Sequence, residues 1–272
     1  MSFPGAWDEA IGAQLAQLAN DHLLRGLVPY EPIDSVRVRR DGRELLLFAS
    51  NDYLGLSSHP AVKRAAAEVA MRLGQGTRGS PLVCGYSTLH AELEGELAAL
   101  KRTEAALLCP SGFAANHAAI GALADAETTI FSDALNHASI IDACRLAVKG
   151  GARLRVYPHA DVAALAGMLA EDDGRKKLIV TDSIFSMDGD LAPLRELGAL
   201  KRRHEALLVV DDAHGTLVFG PGGGGVAEAL GCDDVDVHIA TLSKAAGTLG
   251  GLVATTAAAR EQILNRGRAY VF

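Results

Sequence analysis

Several things that would move this sequence out of the ordinary globular class are missing. No apolar run approaches the roughly 20 residues that a membrane span requires, and Met1 to Ala10, carrying Asp8 and Glu9, lacks the basic segment and apolar stretch of a secretory signal. There is no long basic block: Lys201-Arg202-Arg203 is too short for a nucleic-acid surface, and the formal net charge of −7 reads as ordinary solubility. Cysteine is scarce and scattered. Cys84, Cys109, Cys144 and Cys232 form no Cys-x-x-Cys pair, which argues against a disulfide framework or a thiolate metal site and for reduced thiols. No repeat period is visible, and low complexity is confined to Gly222–Gly225. These absences predict a cytoplasmic protein with neither a nucleic-acid nor a membrane partner.

What is present is 272 residues at 49% apolar and 22% charged, enough for one large domain or two small ones. Ile11, Leu15, Leu18, Leu23 and Leu24 predict an amphipathic helix over residues 8–26. A short hairpin is expected next, Ser35-Val-Arg-Val and Leu45-Leu-Leu-Phe around an Asp41-Gly42 turn. Residues 51–60 read as loop, 61–73 as an alanine-rich helix, and the Gly- and Pro-punctuated stretch 74–85 as irregular.

From residue 88 the pattern changes to helices alternating with short apolar strands. Strands are expected at 105–109, 128–132, 153–157, 177–182, 206–211, 235–240 and 251–255, with helices at 88–101, 113–124, 138–148, 161–171 and 193–204. This alternation predicts an α/β fold with a mainly parallel sheet covered by helices on both faces. Ligands of such sheets bind beyond the carboxyl ends of the strands, where the chemistry-bearing residues of this chain fall.

Each of those residues has two readings. The Ser111-Gly112 turn before a helix can bind an anion through helix-terminal N–H groups, or be a plain turn capped by Ser111. His137, after the next strand, can stack on an aromatic ring or be structural. Asp211 and Asp212 end an apolar strand, where buried charge needs a partner. Asp211 could pair with a pyridinium nitrogen, with His214 near a ring hydroxyl. The same Asp211, Asp212 and His214 could instead serve a divalent metal in a hydrolase, or merely cap a turn. Lys244, among small residues with Thr241 and Ser243 nearby, could be a desolvated Schiff-base lysine or a solvated one.

These segments occur in one order along the chain. Asn51-Asp-Tyr-Leu-Gly-Leu56, Gly85-Tyr-Ser87, Ser111-Gly-Phe-Ala-Ala-Asn116, Asn136-His-Ala-Ser-Ile140, Phe185-Ser-Met-Asp-Gly-Asp190, Asp211-Asp-Ala-His-Gly215 and Thr241-Leu-Ser-Lys244 resemble the α-oxoamine synthases, within the aspartate-aminotransferase-like (fold type I) pyridoxal-phosphate enzymes. The resemblance runs from about residue 35 onward. It implies a large PLP-binding α/β domain over 51–255, preceded by a helix-and-hairpin segment over 1–50 and followed by the start of a connection over 256–272.

By resemblance, pyridoxal 5′-phosphate is the cofactor. Gly112 and Phe113 amides hold its phosphate with help from Thr241, His137 stacks on the ring, Asp211 pairs with its nitrogen, and Ser186 and His214 lie near its hydroxyl. Lys244 forms the Schiff base and moves protons, with Lys244, His137, Asp211 and His214 as the catalytic set and no metal. Asn51 is expected near the substrate and Arg25 near an acyl-chain carboxylate. Ser186-Met-Asp-Gly-Asp-Leu-Ala-Pro193 and His214-Gly-Thr216 are most similar to family members that condense L-alanine with pimeloyl-CoA or pimeloyl-acyl carrier protein, a step of biotin biosynthesis. Glycine C-acetyltransferase is the nearest alternative. A homodimer is implied, with residues 76–85 reaching the neighbouring subunit. The resemblance also places a small C-terminal domain, with a carboxylate-gripping arginine, beyond Phe272. A chain without it is expected to bind cofactor but not to turn over.

Overall fold

The computed structural model describes residues 3–271; Met1, Ser2 and Phe272, at the outer limits of the expected terminal segments, lie outside the described residues. The chain divides into two compact units, Met1–Phe48 and Ala49–Phe272. In the first, helix α1 (Gly5–Asn20) is followed by strands β1 (Glu31–Pro32), β2 (Arg37–Arg40) and β3 (Arg43–Leu46), which form an antiparallel sheet in that order. The Asp41-Gly42 turn has positive φ at both residues, 49° and 74°, as a two-residue hairpin loop requires. The helix is shorter at its C-terminus than the expected 8–26. His22 turns left-handed (φ 56°) and Leu23 N–H closes back on Leu18 C=O at 2.8 Å, so Leu23 and Leu24 leave the helix despite their spacing.

The second unit opens with α2 (Pro60–Leu73) and continues through α3 (Thr88–Lys101), β4 (Ala105–Cys109), α4 (Gly112–Leu123), β5 (Thr128–Asp133), α5 (Ala138–Lys149), β6 (Arg153–Tyr157), α6 (Val162–Glu171), β7 (Lys176–Asp182), α7 (Leu194–His204), β8 (Leu207–Asp211), α8 (Val226–Leu230), β9 (Val237–Thr241), β10 (Gly251–Thr255), α9 (Ala257–Arg266) and α10 (Arg268–Val271). Among the described residues β4 to β10 form one seven-stranded sheet, ordered β4-β10-β9-β8-β7-β5-β6. β10 alone runs against its neighbours, so the other six strands present their carboxyl ends along one edge.

Strand residues alternate between two cores, as the two-residue period of a strand demands. Ile130, Leu178, Val180, Val209 and Ile239 pack with α4, α5 and Ile263 of α9 on one face. Phe131, Ile179, Leu208 and Val210 pack with Leu165, Leu169, Leu194 and Leu197 of α6 and α7 on the other. Both faces being covered explains why the strands are near-continuous apolar runs. The described part of the stretch expected to begin a connection, from Ala257, folds as α9 and α10, packed on α4 within this unit. No helix of the described residues is long and apolar enough to cross a membrane.

Candidate active site

The carboxyl edge of the sheet opens into a cavity of about 260 Å³, lined by Ser111, Gly112, Phe113, His137, Ser139, Asp182, Ser186, Asp211, His214, Thr241, Ser243 and Lys244 among others. Five strand ends therefore deliver residues to one place. A larger space of about 580 Å³ adjoins it, sharing His137, Ser186, His214 and Lys244 and adding Asn51, Tyr53, Ile184, Phe185, Val218 and Phe219.

At one end of the cavity, α4 begins. Ser111 caps it, its hydroxyl accepting Ala114 N–H at 3.1 Å. The N–H groups of Gly112 and Phe113, in the first turn, have no carbonyl four residues back within the helix and are free to meet an anion. The turn is wedged tightly: a Cβ on Gly112 would lie 3.2 Å from Thr241 Cβ, and one on Gly251 would overlap the Ser111 carbonyl carbon and the Gly112 nitrogen. Thr241 Oγ1 donates to Gly250 C=O at 3.0 Å and lies 2.7 Å from Ser243 Oγ. Thr241 is buried, and Ser243, exposed beside it, directs its hydroxyl to Thr241 Oγ1.

Asp211 is buried at the floor. Its Oδ2 accepts Asn116 Nδ2–H at 2.6 Å and its Oδ1 accepts Ala213 N–H at 3.0 Å. The other Asn116 amide hydrogen goes to Ser139 Oγ at 2.9 Å, which sits 2.7 Å from His137 Nδ1. Because His137 Nδ1 already accepts the Ser139 N–H, it carries no proton. Ser139 O–H must then donate to it, leaving the hydrogen of exposed His137 on Nε2. Asp182 stands beside Asp211 in register on β7 and accepts His137 N–H at 2.7 Å. Burial, and then the Asp211 charge, push Asp182 up to about 8. Burial also raises Asp211, against the opposing pull of Asn116 and Lys244.

Lys244 Nζ lies half-buried, 2.7 Å from His214 Nε2. Burial lowers the Lys244 pKa, resisted by the Asp211 and Asp182 charges. His214 is pushed down to about 4 by burial, with Lys244 and His137 adding to the shift. Its Nδ1 is 2.6 Å from Tyr53 O–H, and that hydroxyl donates to Asn51 Oδ1 at 3.3 Å. A neutral His214 accepting from Lys244 at Nε2 and donating from Nδ1 to Tyr53 is consistent with every contact in this Lys244–His214–Tyr53–Asn51 series.

The sequence-predicted Gly112, Phe113, His137, Ser186, Asp211, His214, Thr241 and Lys244 thus share one cavity, and Asn51 lines the adjoining one. Arg25 lies exposed in the first unit. Asp212 does not join them. Its carboxylate accepts Lys101 Nζ–H at 2.7 Å and Ser183 O–H at 2.6 Å, and the ion pair is almost fully buried, with side chains 0% and 3% exposed. The alternative metal set of Asp211, Asp212 and His214 is therefore not assembled, and no group of three His, Cys, Asp or Glu side chains suited to a metal occurs among the described residues. Asn116, Ser139, Asp182 and Tyr53 were not singled out from sequence. Asp182 carried a signal, since its strand ends in Asp after an apolar run just as β8 does.

The model of the aminotransferase class I and II family matches residues 43–272. The chain belongs to that family. An 8-amino-7-oxononanoate synthase of Arabidopsis thaliana is 49% identical over 257 residues, 88% of this chain and 54% of that protein. One of Anaeromyxobacter sp. (strain K) is 50% identical over 263 residues, 96% of this chain and 65% of that protein. The chain therefore spans between half and two-thirds of the length of these relatives. Among solved structures, a Sphingomonas wittichii serine palmitoyltransferase matches with a TM-score of 0.88 at 32% identity, covering 100% of this chain and 68% of that one. A Francisella tularensis 8-amino-7-oxononanoate synthase matches with a TM-score of 0.69 at 30% identity, covering 83% and 62%. A serine palmitoyltransferase of S. paucimobilis, with a TM-score of 0.90 at 30% identity over 100% of this chain and 70% of that one, was solved with a PLP–myriocin aldimine bound. Within the class I and II family the chain groups with the α-oxoamine synthases, and its seven-stranded, mostly parallel sheet is that of the fold type I transferases.

Proposed function

We propose that this chain binds pyridoxal 5′-phosphate and serves the decarboxylative condensation of L-alanine with a pimeloyl thioester, on CoA or acyl carrier protein, to 8-amino-7-oxononanoate. The observation that carries the reading is the juxtaposition of a desolvated amine, Lys244, with a buried, amide-anchored carboxylate, Asp211, in one cavity headed by a helix N-terminus. The residues fit the cofactor. Gly112 and Phe113 amides suit its phosphate, Asp211 needs a facing cation such as a pyridinium N–H, and Lys244 offers an amine to its aldehyde. His137 would lie over the ring, Ser186 and His214 beside the ring hydroxyl, and Asn51 by the substrate.

When bound, the cofactor supplies a cationic ring that spreads the charge of an adjacent carbanion. The chain's own residues then divide the work. Asp211 holds negative charge against the ring nitrogen, and Asn116 fixes which oxygen faces where. Lys244 Nζ, its pKa lowered by burial, takes the proton from the amino acid's Cα and later returns one. His214, pushed down to about 4 mainly by burial, is too weak a base to compete for that proton. The adjoining space, with Ile184, Phe185, Val218 and Phe219 in its wall, offers apolar room for acyl methylenes. The working assembly we take to be a homodimer in the cytoplasm, supported by the acidic, cysteine-poor composition and the family resemblance.

Titration with pyridoxal 5′-phosphate should give a visible band that borohydride bleaches, with the added mass on Lys244. Protein that stays colourless with Lys244 unmodified sinks the reading. Turnover of L-alanine with pimeloyl thioesters, set against glycine with acetyl-CoA, then tests the substrate pair; preference for the second pair would make the activity a glycine C-acetyltransferase.

A further inference from the structure

The loop that carries Ser186 is held by a feature outside the catalytic set. Residues 184–191 form a tight excursion: Ile184 bridges to Leu191, Phe185 N–H bonds Asp190 C=O at 3.1 Å, and Gly189 turns with φ 76°. Ser186 faces both cavities, and Ile184, Phe185, Met187 and Gly189 wall the larger one. Ser186 and Met187 are themselves exposed, so their own side chains add little packing to hold the loop.

His159 anchors the loop. Its Nδ1 is 3.0 Å from Asp133 Oδ1 and its Nε2 is 2.8 Å from Asp190 Oδ2, while its ring meets Phe185 edge-to-face at 4.3 Å. A carboxylate oxygen only accepts, so both ring nitrogens must carry hydrogen, and the ring bridging two carboxylates is an imidazolium. Asp133, buried at the end of β5, is committed on its other contacts, accepting Leu135 N–H at 2.9 Å and Ala160 N–H at 2.8 Å. The turn that presents His159 holds Ala160 in the left-handed region at φ 52°, a conformation that persists only where surrounding bonds impose it.

We propose that His159 is a positioning residue: as an imidazolium it pins the 184–191 loop, through Asp190, to the end of β5, through Asp133, and so sets Ser186 and the wall of the larger cavity. The consequence for the cavity rests on the functional reading above; the pin itself does not. The charged groups facing His159 are Asp133 from β5 and Asp190 from the loop, and Asp133 in turn faces the Tyr157 phenol and the Asp182 carboxyl. The bridging carboxylates outweigh partial burial and raise the His159 pKa. The pin is therefore complete below the ordinary histidine range and lost as pH rises through the raised value.

The test is a nitrogen-detected NMR titration of the histidine rings in the 272-residue chain, with the Met187 methyl resonance as reporter of the loop. Doubly protonated His159 at neutral pH, a Met187 shift that follows its titration, and a lower His159 transition in D190N are expected. A His159 that is neutral at neutral pH, or a Met187 signal indifferent to it, overturns the proposal. In parallel, pyridoxal 5′-phosphate affinity should fall about three- to tenfold as the imidazolium is lost, a range set by a partly exposed charge-assisted bond. In His159→Gln it should be weak and flat with pH. Wild-type affinity with the wild-type pH slope in H159Q would remove any bearing on the cavity. If the parent chain binds no cofactor at all, the functional reading fails, while the ring and methyl titrations still decide the pin.

Discussion

Asn116 and Asp211, 95 residues apart, are joined by a 2.6 Å bond in which the buried amide donates to the carboxylate that faces the cavity. The same amide donates its second hydrogen to Ser139 Oγ, which leaves the Ser139 hydroxyl hydrogen for His137 Nδ1. One helix residue on α4 thus aligns groups from the ends of β8 and β5.

Asn116→Ala should unsettle both at once. It strips a buried carboxylate of a charge-assisted donor, a loss of about 1–3 kcal/mol in stability that urea denaturation would read. It should also weaken pyridoxal 5′-phosphate binding more than His137→Ala does, since Asp211 loses its orientation as well. Equal cofactor affinity in N116A and wild type would show that Asp211 is held by Ala213 N–H alone.

The expected strands 105–109, 153–157 and 251–255 and the helix 88–101 coincide with β4, β6, β10 and α3, because short apolar runs bounded by turns leave few alternatives. What local pattern could not supply was geometry decided by distant partners. β1 is a two-residue strand defined by pairing with β2, and α8 follows a glycine run that reads as loop. Among the candidate residues that share the cavity, Lys244, Asp211 and His214 were legible because each ends or follows an apolar strand. Asn116, Ser139 and Tyr53 were not, because their importance lies in side-chain bonds spanning 95, 23 and 161 residues, respectively. The Asp211-Asp212 pair shows the limit most clearly: neighbours in sequence, they face opposite tasks, one in the cavity and one bonded to Lys101.

That second task makes Lys101 a stability residue. Lys101→Met should cost about 3–5 kcal/mol by chemical denaturation, because it leaves the Asp212 carboxylate buried and unpaired. Replacing both partners with apolar residues of similar volume should recover most of the loss. If Asp212 instead contributed to the site chemistry, K101M would leave stability unchanged and alter activity alone.

Gly251→Ala is expected to act on the end of the cavity where α4 begins, the site proposed above for the cofactor phosphate. The new methyl would overlap Ser111 and the Gly112 nitrogen, forcing the turn away from β10. Affinity for pyridoxal 5′-phosphate should therefore fall while affinity for unphosphorylated pyridoxal changes little, so that the ratio of the two dissociation constants, read by absorbance titration, shrinks toward one. A ratio unchanged from wild type would place phosphate recognition elsewhere.

The paired carboxylates of β7 and β8 predict an unusual pH dependence for the cofactor-free chain. Asp182 ionises in the ordinary carboxylate range when unfolded but holds its proton to about 8 when folded, mainly through burial and then through the neighbouring Asp211 charge. Between those limits the folded state binds more protons, so this pair makes stability fall as pH rises, the reverse of a salt-bridged aspartate. Asp182→Asn removes the titrating group while its amide oxygen can still accept His137 N–H. Denaturation midpoints of D182N should accordingly decline less than wild type from mildly acidic to mildly alkaline pH, and the gap should narrow once a cationic ligand faces Asp211. Parallel wild-type and D182N profiles would mean that Asp182 is already ionised in the folded chain.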